Sequence, residues 1–329
     1  MRICDVCKSD EAIYTDHVIG ASLCPDCLMR SIRRRAWSVL RKELSPGDRI
    51  MVAHSGGKDS SLALMLTKEF SEEAREMGLR VVSITVDEGT SYRKASVKLA
   101  ERLSEELGVK HITIPMSEVI GFSIEELRKS IPREWKRNAC TYCGVLRRQV
   151  LNAAAREMGA TVVVTGHNLD DLVQTSLMNL VRGDLNALIK AMRHEKRYDV
   201  GLIPRVRPLK YIYEREIASL VLSLAIPAHL GKCPLAQGMR IGIRREIDRI
   251  EDLNPGSKLR ALKFLEKISS NIETKVNIVK CSICGEPTTS DECKACQFKK
   301  EAFFLMGQRN EPEISPDSIR KLVESAFQS

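Results

Sequence analysis

No stretch of the sequence runs to about 18 apolar residues, the length a helix needs to cross a bilayer. The opening Met1-Arg2-Ile3-Cys4-Asp5 is unlike a secretory leader. No internal repeat at a solenoid period is visible, which argues against a stacked-repeat architecture. Acids are the scarcer charge, 43 Asp and Glu against 52 Lys and Arg, for a formal net charge of +9. That excess favours a polyanionic partner, nucleic acid being the commonest, although a generic basic surface has the same composition. A cytoplasmic protein without a membrane segment is expected. Thiols stay reduced there, so clustered cysteines point to metal before disulfides. A chain of 329 residues, 43% of them hydrophobic, can bury the core of one α/β domain with small appendages.

The most informative stretch is His54-Ser55-Gly56-Gly57-Lys58-Asp59-Ser60-Ser61. It lies between the apolar runs Arg49–Ala53 and Leu62–Leu66, an order that reads strand, glycine turn, helix. Adjacent glycines let backbone approach an anion closely. The helix start offers free N–H groups and the positive end of its dipole to a phosphate. Lys58 adds a point charge, and Ser55, Ser60 and Ser61 add hydroxyls. The alternative is an ordinary N-cap with glycines for the turn. The pattern is not G-x-x-x-x-G-K-[ST], since the glycines abut and an acid follows the lysine. Ser55 to Ser60 instead resembles the pyrophosphatase loop of the PP-loop ATPases.

Further runs read as strands at 80–86, 109–114 and 160–165, with helices expected over 62–77, 95–107, from Val145, over 172–182 and over 214–224. Strands alternating with helices predict an α/β fold with a doubly wound parallel sheet, whose ligands sit at the carboxyl ends of strands. Asp87 and Gly166-His167-Asn168-Leu169-Asp170-Asp171 follow such ends. Asp87 is a ribose or metal ligand, or a turn cap. Asp170 and Asp171 suit a helix N-terminus, magnesium or a ribose. His167 is a candidate pocket residue. Residues 116–139 and 183–213 read as irregular. The segment 238–275 reads as two helices broken at Asn254-Pro255-Gly256, and 315–327 as a short tail helix.

Of the 11 cysteines, Cys4-x-x-Cys7 and Cys24-x-x-Cys27 stand 16 residues apart, and Cys281-x-x-Cys284 and Cys293-x-x-Cys296 stand eight apart. Paired knuckles at these spacings are a structural zinc signal, one ion for each set of four thiolates. His17 reads as a loop residue beside the first set. Cys140, Cys143 and Cys233 are left over. Cys140 and Cys143 precede a helix near Arg147 and Arg148, an environment that lowers thiol pKa, so they should be more reactive than a zinc pair. Three thiolates on an iron–sulfur cluster leave one iron open to an exogenous sulfur. An incomplete zinc site and a cycling disulfide pair fit the same residues.

Basic residues concentrate in two places. Arg30, Arg33, Arg34 and Arg35 fall on an amphipathic helix with Ile32, Ala36, Val39 and Leu40, whose basic face suits RNA phosphates or is simply solvated. In 183–213, Lys190, Arg193, His194, Lys196, Arg197, Arg205, Arg207 and Lys210 interleave with Tyr198, Tyr211 and Tyr213, which suits nucleic acid or a surface loop.

Taken in order, the two N-terminal CxxC knuckles, SGGKDS, the central CxxC, GHNLDD, the lone Cys233 before Pro234 and the C-terminal ribbon resemble the tRNA 2-thiouridine synthetases of the PP-loop ATPases over nearly the whole chain. The resemblance implies a zinc finger at 1–30, a PP-loop ATP pyrophosphatase domain (adenine nucleotide alpha hydrolase-like) at 31–230 with the basic insertion 183–213, a helical segment at 231–275 carrying the third cluster cysteine, a zinc ribbon at 276–300 and a tail at 301–329. It implies that Ser55, Gly56, Gly57, Lys58, Asp59 and Ser60 grip the phosphates of ATP, that Ala53 and Val86 line the adenine, and that Arg147 and Gly166 complete the pocket. Cys140, Cys143 and Cys233 would hold a [4Fe–4S] cluster. His54 stands where the family more usually has a small residue or serine.

The implied reaction is adenylation of the C2 oxygen of a tRNA uridine followed by displacement of AMP by sulfur. Lys58 and the loop amides would stabilise charge on the phosphates. Magnesium would bridge phosphate oxygens, with Asp59 or Asp170 as ligand. Residues 143–149 and 177–184 look closer to the branch that thiolates the wobble uridine than to the branch acting on the T loop. The family implies a ubiquitin-like thiocarboxylate protein or sulfide as sulfur donor, and a homodimer. Another PP-loop tRNA-modifying ligase, amidating or lysidine-forming, and a non-catalytic zinc-ribbon RNA-binding protein are the competing readings.

Overall fold

A computed structural model describes residues 2–192, 203–231, 233–235, 239–272, 278–308 and 319–324. A small hairpin, β1 (Tyr14–Asp16) and β2 (Ala21–Leu23), leads into α1 (Pro25–Glu43). Then come β3 (Arg49–Ala53), α2 (Lys58–Glu73), β4 (Arg80–Asp87), α3 (Ser91–Glu106) and β5 (Lys110–Pro115). Two short helices, α4 (Met116–Ile120) and α5 (Ile124–Ser130), precede α6 (Ala139–Glu157). The chain continues through β6 (Val162–Thr165), α7 (Leu169–Val181), α8 (Leu185–Met192), β7 (Arg205–Val206), α9 (Glu214–Ser223), α10 (Met239–Leu253) and α11 (Ser257–Asn271). A second hairpin, β8 (Val279–Lys280) and β9 (Pro287–Thr288), ends in α12 (Lys294–Leu305).

The expected parallel sheet is present, with five strands in the order β5-β4-β3-β6-β7. Alternating side chains divide it between two cores. Ile50, Val52, Val162 and Val164 pack with α1, α2 and α9, while Met51, Val163, Ile84 and Val86 pack with α4, α6 and α12. Strand order reverses between β3 and β6, where Ala53 pairs with Thr165 at the carboxyl ends. That is where an open α/β sheet leaves a crevice for ligands.

Several expected boundaries move, each for a local reason. The second helix begins at Lys58 rather than Leu62, because Gly57 is already its N-cap, and it ends at Glu73. Residues 116–139 are irregular only in part: Met116–Ile120 and Ile124–Ser130 are helical, the second started by a reciprocal capping box of Ser123 and Glu126. The sixth helix starts at Ala139, capped by the Asn138 side chain, so Cys140 and Cys143 lie within its first turns. Part of 183–213 is ordered as α8, started by Asp184 accepting from the Ala187 amide, and as β7. Of the expected tail helix, 319–324 is helical and the rest lies outside the described residues.

Candidate active site

The glycine loop leaves β3 in the crevice. Gly56 has φ +69°, and a Cβ there would stand 1.8 Å from the Ser96 carbonyl oxygen, so only glycine fits. The Ser60 hydroxyl donates to the Gly57 carbonyl at 3.0 Å and accepts from the Ser55 amide at 3.0 Å, which fixes the turn. A Cβ on Gly166 would stand 2.6 Å from the Ser60 nitrogen. Gly166 therefore packs directly against the start of α2.

Lys58 Nζ lies 2.8 Å from Asp59 Oδ2 and 2.9 Å from Glu214 Oε1. Burial works against its charge, but the two carboxylates prevail and raise its pKa. Asp59 also accepts from Asn168 Nδ2 at 3.0 Å. Asp170 does not face the crevice as a free ligand. It is buried, accepting from Lys258 Nζ at 2.5 Å and from the Glu214 amide at 2.7 Å. Both carboxylates are paired with a lysine, but Asp170 is enclosed with Lys258 whereas Asp59 is partly exposed at the loop, which makes Asp59 the loop-side magnesium candidate. Asp87 accepts from the Gly89 amide at 2.9 Å and caps its turn. Asp171 forms a capping box with Asn168, and burial together with Asp59 raises its carboxyl to about 6.

His54 is buried beneath the loop, its Nε2 3.1 Å from Ser61 Oγ. Burial, then His111 and Arg93, lower its pKa to about 3, so it is a neutral supporting residue. His167 shares a 2.8 Å hydrogen bond with Thr165 Oγ1.

Sequence reasoning missed Glu88 and Arg93. Buried Glu88 accepts from Arg147 at 2.7 Å and pairs with Arg93 at 2.5 Å. Arg93 in turn donates to the Ser55 carbonyl at 2.7 Å. An unbroken polar chain thus joins the phosphate loop to the helix of Cys140 and Cys143. The faint signal was Asp87-Glu88-Gly89 at a strand end, where the aspartate drew attention from the glutamate.

Cys140 and Cys233 are exposed, Cys143 is partly buried, and both neighbours act electrostatically on Cys143. Burial pushes the Cys143 thiol up to about 12, against the expectation of a reactive, low-pKa pair; Arg147 opposes this only in part. The chain around Cys233 is pinned to the loop. The His229 amide donates to the Gly56 carbonyl at 2.7 Å, and the Tyr92 hydroxyl donates to the Gly231 carbonyl at 2.6 Å.

Each set of four cysteines is gathered, with sulfurs within 4.8 Å of one another. Cys7–Cys24 and Cys284–Cys293 stand 3.7 and 3.6 Å apart, close to the roughly 3.8 Å edge of a tetrahedron with metal–sulfur bonds of about 2.3 Å. His17 stays outside the first set. Cys140, Cys143 and Cys233 do not form so tight a group.

The basic stretches are partly internal. Arg33 pairs with Glu69 at 2.9 Å, and Arg35 with buried Glu216. Lys210 is buried between Glu43 and Glu266, with Tyr211 also on Glu266. Arg193, His194, Lys196, Arg197 and Tyr198 lie outside the described residues.

A family described as PP-loop domain matches residues 29–226. The tRNA 2-thiolation protein NcsA of Haloferax volcanii is 32% identical, over 90% of this chain and 97% of its own. The cytoplasmic tRNA 2-thiolation protein 1 of Caenorhabditis briggsae is 31% identical, over 88% and 79%. The U34-tRNA thiolase NcsA of Methanococcus maripaludis, solved with its [4Fe–4S] cluster, superposes with a TM-score of 0.78 at 27% identity, over 92% of this chain and 96% of that one. On its loop, its sheet and these likenesses, the chain belongs to the tRNA 2-thiolation proteins of the PP-loop ATPases.

Proposed function

We propose that the chain thiolates C2 of a tRNA uridine, with the wobble uridine as target. The observation that carries this is the polar chain Ser55–Arg93–Glu88–Arg147, which couples the phosphate loop to the cysteine-bearing helix. Two half-reactions need two adjoining centres, and this chain adjoins them. The U34 specificity of the similar archaeal thiolase supports the wobble assignment.

ATP lies with its phosphates on the amides of Gly57 to Ser60 and on Lys58, and its adenine between Ala53 and Val86. Asp59 would hold a magnesium ion, which would neutralise charge on the phosphates. The uridine O2 attacks the α-phosphorus, the α–β P–O bond breaks, and pyrophosphate leaves. Lys58 stabilises that charge. Sulfur then attacks C2, the C2–O bond breaks with its electrons, and AMP leaves. Cys140, Cys143 and Cys233 would hold the [4Fe–4S] cluster, which would supply an iron site for sulfur. Arg147 offsets negative charge beside them. The two Cys4 sets would hold one structural zinc each. A ubiquitin-like thiocarboxylate protein or sulfide supplies the sulfur, the enzyme acts as a homodimer, and its place is the cytoplasm.

Mass spectrometry of tRNA nucleosides, mapped by position, from a strain lacking the protein tests the assignment. Loss of 2-thiouridine at the wobble position is expected. Loss confined to the T loop moves the target, and unchanged thiolation overturns the reading in favour of another PP-loop ligase.

A further inference from the structure

The chain leading to Cys233 is clamped between the phosphate loop and α3. His229 forms an isolated parallel bridge with Gly57, and its amide donates to the Gly56 carbonyl at 2.7 Å. Tyr92, in the first turn of α3, closes over this bridge. Its hydroxyl donates to the Gly231 carbonyl at 2.6 Å and lies 3.3 Å from His229 Nδ1. A phenol carries one proton, so with that proton on Gly231 the hydroxyl accepts from Nδ1–H. The two rings meet edge to face, with centroids 4.8 Å apart and planes at 83°. The imidazole folds back over the backbone. A Cβ on Gly231 would stand 2.5 Å from His229 Cε1, so glycine is needed while Tyr92 holds the ring. Gly231 comes two residues before Cys233, a separation of at most about 7 Å along the backbone.

Tyr92 and its neighbour Arg93 divide the cysteines outside the Cys4 sets between them. Arg93 donates to the Ser55 carbonyl at 2.7 Å and pairs with Glu88, which holds Arg147 on the helix of Cys140 and Cys143. Tyr92 holds the strand that runs to Cys233. Ser96, one turn further along α3, packs against Gly56.

We infer that Tyr92 is a positioning residue for Cys233: through Gly231 and the His229–Gly57 bridge it fixes that cysteine against the phosphate loop, so that nucleotide on the loop is felt at the thiol. What the thiol holds rests on the tRNA-thiolation reading above; the clamp itself does not. The Gly56 oxygen that takes the His229 amide shares a peptide unit with the Gly57 N–H. A phosphate on that N–H polarises the unit and makes its oxygen a better acceptor, which tightens the bridge. Tyr92 carries the tightening past His229 to Gly231. Without the hydroxyl, the chain beyond the bridge is free to swing.

The test compares the full-length protein with Tyr92→Phe, which keeps the ring and loses the hydroxyl. In the iron-free proteins, hydrogen exchange over 226–231 and alkylation of Cys233 by iodoacetamide are followed with and without a saturating non-hydrolysable ATP analogue. In the parent the analogue should slow both by about fivefold, the range of one net hydrogen bond. In Tyr92→Phe both should run faster without nucleotide, and the analogue should change Cys233 alkylation by less than about twofold, with analogue affinity within about twofold of the parent. After anaerobic loading with iron and sulfide, the variant should lose its visible iron absorption to a chelator about fivefold faster, with zinc content unchanged. Gly231→Ala, at an exposed position, displaces the His229 ring without touching α3. It should move the same readouts in the same direction, and it decides the matter if Tyr92→Phe folds poorly. Alkylation of Cys233 that ignores the analogue in the parent, or responds equally in parent and variants, would overturn the inference. Faster exchange with parental alkylation and iron retention would overturn it too, by reducing Tyr92 to a structural tie. A parent that takes up no iron would overturn the cluster reading alone, and the iron-free measurements would still decide this inference.

Discussion

Lys58, the first residue of α2, meets Glu214, the first residue of α9, at 2.9 Å. The same glutamate pairs with Arg244 of α10, and its amide donates to Asp170 of α7. Three helices are thus tied to the lysine of the phosphate loop. The charge meant for phosphate is already shared with two acids, Asp59 and Glu214.

Removing one of those acids should free the lysine. Glu214→Gln keeps the shape and is expected to tighten binding of a non-hydrolysable ATP analogue by a few-fold, read by calorimetry. Lys58→Ala should weaken it at least about tenfold, the loss of one charge-assisted contact. If Glu214→Gln weakens ATP instead, the glutamate positions the lysine and does not compete for it.

Arg35 separates structural from RNA-facing charge on α1. It donates to Glu216 Oε2 at 3.0 Å and to the Tyr211 carbonyl at 3.1 Å, and Glu216 is almost wholly buried. Arg35→Ala strands that carboxylate, so the urea midpoint should fall by an amount worth about 3 kcal/mol. Arg34→Ala, on the exposed side of the same helix, should leave stability within about 0.5 kcal/mol. Equal midpoints for the two variants would sink this division of the face.

Cys233→Ala should lose the visible absorption of iron and the thiolation of transcript tRNA under anaerobic conditions with ATP and sulfide. Zinc content and ATP affinity should stay at parental levels, because Cys233 belongs to neither Cys4 set. Cys284→Ser should do the reverse to metal content and remove one zinc per chain. Full thiolation by Cys233→Ala would refute the three-cysteine cluster.

These contrasts show what residue patterns carry and what they do not. The loop, the alternating strands and the Cys4 sets are local or periodic, and each was readable from spacing alone. The fate of a charge is not local. Arg35 finds Glu216 across 181 residues, and Asp170 finds Lys258 across 88. Only the packing of α9 and α11 creates those partners. A basic helix face and an acidic GHNLDD motif therefore looked available to ligands when much of each was committed inside. Glu88 and Arg93 were missed for the same reason, since their role exists only where β4, α3 and α6 meet. The thiol of Cys143 went astray because a helix start and a nearby arginine are visible in sequence, whereas its burial is not.

The buried imidazoles give the chain a measurable acid sensitivity. His54 and His111 meet edge to face at 6.0 Å, among Ser61, Ser83 and Ser104. Burial, then His111 and Arg93, holds His54 to about 3, and burial holds His111 to about 4. Unfolded, each takes up a proton near pH 6.5. Between that pH and the folded value the unfolded chain binds more protons, so stability is full above about 6.5 and falls as the medium is acidified. The slope is on the order of 1 kcal/mol per pH unit for each histidine. Asp171, raised to about 6, works the other way, because the folded chain protonates it first. Comparison with His54→Gln isolates the histidine's contribution. Urea midpoints between pH 6.5 and 5 should fall less steeply in the variant, by about one linked proton. Parallel pH profiles for the two proteins would show that His54 is protonated in the native state and that the polar layer beneath the loop accepts its charge.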